Sequence, residues 1–298
     1  MASGPERGIG LSSMGRIDTA MSGPALAGGR LDVKTLRLAV HGWWLRNPLV
    51  YKPGVADLWA VARELASAGL PSGALVLDDL SGVRAEVTQT VLIVRPAAAA
   101  SLLGMATACA VAEVAQSALG RACVVRWPWD VGISAALPHQ RVCHISVEVD
   151  EVAEVAYIGL RMAFGRLRAA RRTTSVTDEQ PASPLAGRAD WREVVLARTL
   201  HTLDVRLRAA LSAGHEVERE TLRQEWLRRL MIPRRARVFH LDGRRVAGMA
   251  TWAAHDDALY VRREDGMEWR IPPEAVSAAC GAGWTPASAP PARVPPHR

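Results

Sequence analysis

The feature that most constrains the fold is the stretch of residues 97–119, which is rich in alanine and has Glu113 as its only charged residue. A helix that is apolar on almost every side has to be buried on almost every side. Gly120 follows the stretch directly, as glycine often does where a helix ends. The sequence therefore predicts a core helix around which the other elements of its domain pack.

Hydrophobic periodicity predicts the elements around this helix. Alternating or short apolar runs predict strands at residues 36–40, 74–77, 87–94, 123–127, 142–149 and 155–160. Amphipathic patterns predict helices at residues 55–68, 191–213 and 218–230. Glycine, proline and polar residues predict loops at residues 132–140 and 177–190, and residues 166–172 form a strongly basic run.

The pattern changes after Pro233. Short strand-like runs at residues 237–240, 246–251, 258–262 and 268–271 alternate with polar turns such as Asp242-Gly243 and Asp265-Gly266, which is typical of a small β-barrel. The first 30 residues and the Pro- and Ala-rich end lack periodicity and are predicted to be disordered. We therefore predict an extension at 1–30, a main domain at 31–232, a small domain at 233–278 and a tail at 279–298.

Charge and cysteine usage limit the function classes. The net charge is +7, with Lys34 and Lys52 as the only lysines; this balance fits either a solvated basic face or an anionic partner such as a nucleotide or an acidic carrier domain. No basic stripe with interleaved aromatics predicts a nucleic-acid surface. The four cysteines form no CxxC pair, so we expect neither a metal site nor disulfides. The absence of expected disulfides predicts a cytoplasmic location. No apolar run of about 18 residues predicts a membrane span.

The stretch 124–130, Val-Val-Arg-Trp-Pro-Trp-Asp, carries the candidate site. Pro128 has no amide donor and fixes φ, so the strand has to stop there, and residues at strand ends face the loops where ligands bind. The stretch resembles the Lys-Trp-Pro-Asn-Asp signature of biotin–protein ligases, and the helix before it and the strand after it follow that family's order. The residues that the resemblance assigns to ligand binding here are Arg126, Trp127, Trp129 and Asp130.

The resemblance implies an α/β (α+β) fold, with a mixed-sheet biotin/lipoate ligase-like domain followed by a small SH3-like barrel. It implies an ATP- and Mg-dependent ligase that makes biotinyl-adenylate and transfers biotin to a lysine of a carrier domain. The family's Arg-rich adenylate loop is shortened here to residues 81–86, which leaves Gly82 and Arg84 as candidate contacts. Arg141 lies at or beside the catalytic lysine position, His144 replaces a glycine, and Trp129 replaces the Asn of the signature.

Two main hypotheses remain open from the sequence. In the first, the chain is a pseudo-ligase that keeps the fold and binds a biotin-like ligand, a carrier domain or another partner protein, because no lysine follows Lys52. In the second, it is an active divergent ligase in which Arg84, Arg126 and Arg141 bind phosphates. A different acyl or nucleotide chemistry in the same fold, and a homodimer formed through a sheet edge, are further alternatives.

Overall fold

The structure, a computed structural model, describes residues 31–40, 48–79, 87–133, 141–165, 167, 190–212, 214–231, 236–241, 244–252, 258–262 and 266–273. Several sequence-based expectations lie outside these residues: the disordered ends, most of the basic run at 166–172, and the surface loop at 177–190 apart from Asp190.

An eight-stranded mixed sheet forms the centre of the structure before Pro233. Its strands are β1 (Leu49–Tyr51), β2 (Leu75–Asp79), β3 (Val87–Val94), β4 (Cys123–Arg126), β5 (Asp130–Ile133), β6 (Arg141–Asp150), β7 (Val155–Ala163) and β8 (Leu230–Met231). The spatial order is β1-β2-β3-β7-β6-β5-β4-β8. Strands β1 and β2 are parallel, as are β4 and β8, and the other neighbours are antiparallel. The mixed α/β class is therefore confirmed.

Helices cover the two faces of this sheet unequally. The larger core lies on one face, where helices α3 (Ala100–Leu119), α4 (Trp191–Leu211) and α5 (Glu216–Arg229) pack together, with the short α1 (Val33–Ala39) against α4. On the other face, α2 (Leu58–Ser67) covers β2 and β3 over a smaller apolar cluster. Alternate residues of each strand point to opposite faces. In each strand that α2 does not cover, every second side chain therefore points away from the larger core.

Helix α3 is the core helix that its composition predicts. Residues such as Leu103, Cys109 and Val111 are fully buried, and Gly120 ends the helix in the left-handed conformation, at φ 66°. By length and hydropathy this helix could cross a membrane, so the expectation that no run of the sequence is apolar enough is wrong. In the structure 78% of its most apolar window is buried inside the protein, because the sheet, α4 and α5 surround it.

The segment after Pro233 contains four antiparallel strands. They are β9 (Ala236–Leu241), β10 (Arg244–Trp252), β11 (Leu259–Arg262) and β12 (Glu268–Ile271), and each pairs with the next in chain order. These are the strands that the sequence predicts there. Gly266 has a φ of 81°, a conformation that glycine adopts without the steric cost other residues incur, at the predicted turn before β12.

The strand predicted at residues 36–40 is wrong, because this segment belongs to helix α1. The carboxylate of Asp32 accepts hydrogen bonds from the backbone amides of Lys34 and Thr35 at 3.0 and 3.1 Å and caps the helix. Leu36 and Val40 are both buried, and their spacing of four places them on one face of a helix. The same apolar residues also alternate, which is why the pattern suggested a strand.

The loop predicted at residues 132–140 is wrong in its first part. Strand β5 begins at Asp130 and pairs back on β4, with Arg126 opposite Asp130 and Val125 opposite Val131. Pro128 does stop β4, as expected, but the chain reverses at once through residues 127–129 instead of leaving the sheet. The short edge strands β1 and β8 were also missed.

Candidate ligand-binding site

One face of the large sheet carries a continuous set of polar side chains. On β6, Cys143, Ile145 and Val147 belong to the larger core, so His144 and Ser146 point to the opposite face, where α2 lies. We call this second face, on the side of α2, the polar face. The same alternation places Asp130 of β5 and Arg126 of β4 on it, because Val131 and Val125 are in the larger core.

The register of the strands aligns six polar residues of this face in a row across the sheet. Asp78 is opposite Gln89, Gln89 is opposite Arg161, and Arg161 is opposite His144. His144 contacts Asp130 through its side chain, and Asp130 is opposite Arg126. We call this set the polar row: Asp78, Gln89, Arg161, His144, Asp130 and Arg126. Directly opposite residues on one face have Cβ atoms about 4.5–5.5 Å apart, so neighbours in the row can interact.

Asp130 is the central partner in this row. Its Oδ2 lies 2.9 Å from Nε of Arg141, and its Oδ1 lies 2.7 Å from Nδ1 of His144. Because an ionised carboxylate only accepts hydrogen bonds, Nδ1 of His144 is the donor. The Asp130 side chain is 15% exposed and the other two are 29% and 19% exposed. One carboxylate thus holds both of the sequence-derived candidates from β6.

Arg126 lies over the neighbouring glycine of β5. A Cβ on Gly132 would be 3.1–3.2 Å from the Nε, Cζ and Nη2 atoms of Arg126. Such contacts are shorter than the usual 3.5–4.0 Å between non-bonded carbon atoms, so the missing side chain is what lets the guanidinium lie flat against the strand. The structure therefore brings together Arg126, Asp130, Arg141 and His144 of the residues that the sequence singled out.

A tryptophan that the sequence analysis missed lies on the same face. Trp59 is in the first turn of α2, where Asp57 caps the helix by accepting the amides of Trp59 and Ala60 at 2.9 and 3.0 Å. Its indole rests on Gly159 of β7, since a Cβ there would meet Trp59 and would be 2.7 Å from Oγ of Ser146. Glycine in a strand interior often marks such a close approach, and that signal was available in the sequence.

The tryptophans of the key stretch lie elsewhere. Trp129 is 1% exposed and belongs to the larger core, with its indole against Gly104 of α3. Trp127 is partly buried and packs against the same core, and Nε1 of Trp226 donates to the carbonyl of Pro128 at 3.2 Å. Trp129 thus points into the larger core, so it does not contact a ligand bound on the polar face.

The chemistry open to this face is binding and charge stabilisation. Cys143 is adjacent to the row but points into the core, where burial, and secondarily the charge of Asp130, raise the pKa of its thiol far above the ordinary value, so it does not supply a thiolate nucleophile. Among the described residues, no group of three or more His, Cys, Asp or Glu side chains could hold a metal ion. Gly82 and Arg84 lie outside the described residues.

The sheet order and the helix arrangement define a biotin/lipoate ligase-like fold. Biotin protein ligase from Aquifex aeolicus superposes with a TM-score of 0.51 at 13% sequence identity, covering 75% of this chain and 94% of that one. The same enzyme in complex with biotin and ATP gives 0.50 at 13% identity, over 77% and 97%. A biotin protein ligase-like protein of unknown function from Silicibacter gives 0.49 at 19%, over 76% and 96%. No family model and no curated protein matches the sequence.

Proposed function

We propose that this chain is a pseudo-ligase, which binds a biotin-like ligand or a carrier domain on its polar face and does not form an adenylate at ligase rates. The observation that carries the proposal is the ion pair between Arg141 and Asp130, at 2.9 Å. The resemblance to biotin–protein ligases implies that Arg141 lies at or beside the position of the catalytic lysine. In this structure its charge is already opposed by a carboxylate.

Adenylate formation builds negative charge at the α-phosphate, and preorganised cations have to meet that charge. An arginine bound to an aspartate must break or share this pair before it can serve a phosphate. Lysine cannot take its place, because the chain has only Lys34 and Lys52. Lys52 follows the edge strand β1, four strands from β6, a distance of about 19 Å at roughly 4.8 Å per strand.

Biotin and ATP remain the ligands to test, because the fold is that of proteins whose structures hold both. ATP would bring Mg²⁺ with it and supply the adenylyl group, with attack at the α-phosphate and pyrophosphate as the leaving group. On the polar face, Arg126 and Arg141 are the cations that could bind its phosphates, and Arg84 is the sequence-derived third. We propose a biotin carrier domain or another protein as the partner and the cytoplasm as the location, and we propose that β9–β12 close into an SH3-like barrel as a separate domain.

The test is pyrophosphate release from ATP in the presence of biotin, followed by transfer to a biotin carrier domain, with an active biotin ligase as the positive control. We expect pyrophosphate release at least 10²-fold below that control, since loss of one preorganised donor typically costs about 10²–10³ in rate. Calorimetric titration with biotin and with ATP measures binding independently of turnover. Robust biotin-dependent turnover that disappears in Arg141→Ala would refute the pseudo-ligase and make Arg141 a catalytic residue.

A further inference from the structure

We propose that the Arg161 end of the polar row and the indole of Trp59 together bind a small planar anion, a flat ring that carries a carboxylate or a phosphate. This inference rests on the proposed function in one respect, that the ligand lies on the polar face. It adds the chemical class of the ligand and two residues, Arg161 and Trp59, that the resemblance does not assign.

The charge argument starts from the pairing within the row. Asp130 is engaged by Arg141 and His144, and Asp78 is buried and accepts the amide of Gly54 at 2.8 Å. Arg161 differs from these residues, because its side chain is exposed and makes no hydrogen bond or ion pair within the described part of the chain. A guanidinium whose donors are not used by the described residues is suited to a carboxylate or a phosphate, which it can bind through two parallel bonds.

The neighbours of Arg161 also favour an anion. Gln89 and His144 are directly opposite it on the two flanking strands, and the Gln89 amide adds neutral donors within reach. The carboxylate nearest along β6, Glu148, is held by Arg63 at 2.8 Å. On this face, Asp130 and Glu148 are paired and Asp78 is buried, and the exposed charge of Arg161 is positive.

The shape argument comes from Trp59. Its indole lies against the backbone of Gly159, two residues before Arg161 on the same face of β7, which is about 7 Å along a strand. Tyr157 packs edge-on against it, with ring centroids 6.5 Å apart and planes at 60°, so the indole is fixed before a ligand arrives. The ring is partly exposed. A flat ligand ring that stacks on it can extend its anionic group towards Arg161.

The experiment is calorimetric titration of the full chain with two matched pairs of probes. Nicotinate and nicotinamide differ in a carboxylate, and AMP and adenosine differ in a phosphate, so the two pairs show which anion the site prefers. We expect at least one anion to bind about tenfold or more tightly than its neutral partner, the effect of one charge-assisted hydrogen bond. The difference should shrink as salt is raised, because exposed charges are screened.

Variants separate the two contacts. Arg161→Gln should abolish the preference for the anion and leave binding of the neutral partner unchanged. Trp59→Leu should weaken both members of a pair by a similar factor. Arg198→Gln is the matched control, since it removes an exposed arginine of α4, on the opposite side of the sheet, and it should leave binding unchanged. Far-ultraviolet circular dichroism and thermal melts establish that each variant is folded.

Two results would overturn the inference: equal binding of the charged and neutral partners, or an anion preference that persists in Arg161→Gln. Both are distinct from failure of the proposed function. Biotin-dependent pyrophosphate release would refute the pseudo-ligase whatever these titrations show. Absent adenylation together with absent anion binding would refute only the assignment of Arg161 and Trp59.

Discussion

Replacing Gly104 with alanine tests how the core accommodates Trp129. In the middle of a helix, alanine is more favourable than glycine by about 1 kcal/mol, so α3 taken alone would gain stability. The structure reverses this expectation. A Cβ at residue 104 would lie well inside van der Waals contact of three indole atoms of Trp129, Cε2, Cδ2 and Nε1, and this side chain is 1% exposed.

The magnitude follows from comparing the two effects. Overpacking a well-packed core costs about 1–3 kcal/mol and occasionally more, and a displaced buried indole belongs at the upper end of that range. Subtracting the gain in helix propensity of about 1 kcal/mol leaves a net loss of about 2 kcal/mol in the free energy of unfolding. For a protein of this size that lowers Tm by roughly 4–8 °C.

A double-mutant cycle isolates the contact. Trp129→Leu alone should destabilise the protein by leaving a cavity, but in that background Gly104→Ala should become neutral or stabilising, so the two changes couple by about 2 kcal/mol. Gly120→Ala is the control: it removes the left-handed glycine at the end of the same helix, far from Trp129, and its cost should add to that of Trp129→Leu. If urea unfolding shows that Gly104→Ala stabilises the wild-type protein, the packing argument is refuted.

Two further outcomes are expected from buried or partly buried groups. Arg206 forms ion pairs with Glu225 and Glu113, at 2.6 Å each. Burial raises the pKa of Glu225, but the hydrogen bonds and charge of Arg206 hold that pKa below its ordinary value of 4.5. Its stabilisation is therefore complete above about pH 4.5 and is lost as pH falls through the lowered pKa. Arg206→Met should cost about 1–3 kcal/mol at neutral pH and progressively less towards pH 3 in urea titrations; a cost independent of pH would contradict this. In a Cys280→Ser variant, the remaining thiols are Cys109, Cys123 and Cys143, which are buried. Burial raises their pKa, to about 12 for Cys109 and Cys123, so thiol reagents at pH 8 should react only after unfolding. Fast labelling of the native protein would contradict their burial.

Local sequence features identified the elements whose structure depends on local physics. The stretch around α3 has one charge in a long apolar run, and no arrangement other than burial satisfies it. The strands after Pro233 are separated by polar turns, which fix where each strand ends. Helix α1 was not identified because Leu36, Leu38 and Val40 fit both a period of two and a spacing of four. Its cap at Asp32 decides between them, and a cap outside the apolar run was overlooked.

The candidate site was only partly accessible from sequence, for a different reason. Asp130, Arg141 and His144 could be found one by one from their match to positions of the biotin–protein ligase pattern. That Asp130 binds both of the others depends on β5 pairing with β6, and β5 itself is four residues long with a glycine in it. Gln89 and Arg161 join the row only through the register of β3, β7 and β6. These pairings connect residues far apart in the chain, so periodicity within a segment carries no information about them.

The face to which each residue points changes the reason for expecting weak ligase activity. From sequence, the Trp at position 129 could be taken as bulk that fills a ligand site. In the structure its indole lies in the larger core, where Gly104 makes room for it, so this side chain does not fill the polar face. On the polar face, Asp130 is the first residue of β5 and keeps the Asp of the signature, and it holds Arg141 and His144. In the proposed pseudo-ligase, adenylation would therefore be limited by the pairing of Arg141 with Asp130 and not by the bulk of Trp129. A site limited in this way would still bind a ligand at an arginine, such as Arg161, that Asp130 does not engage.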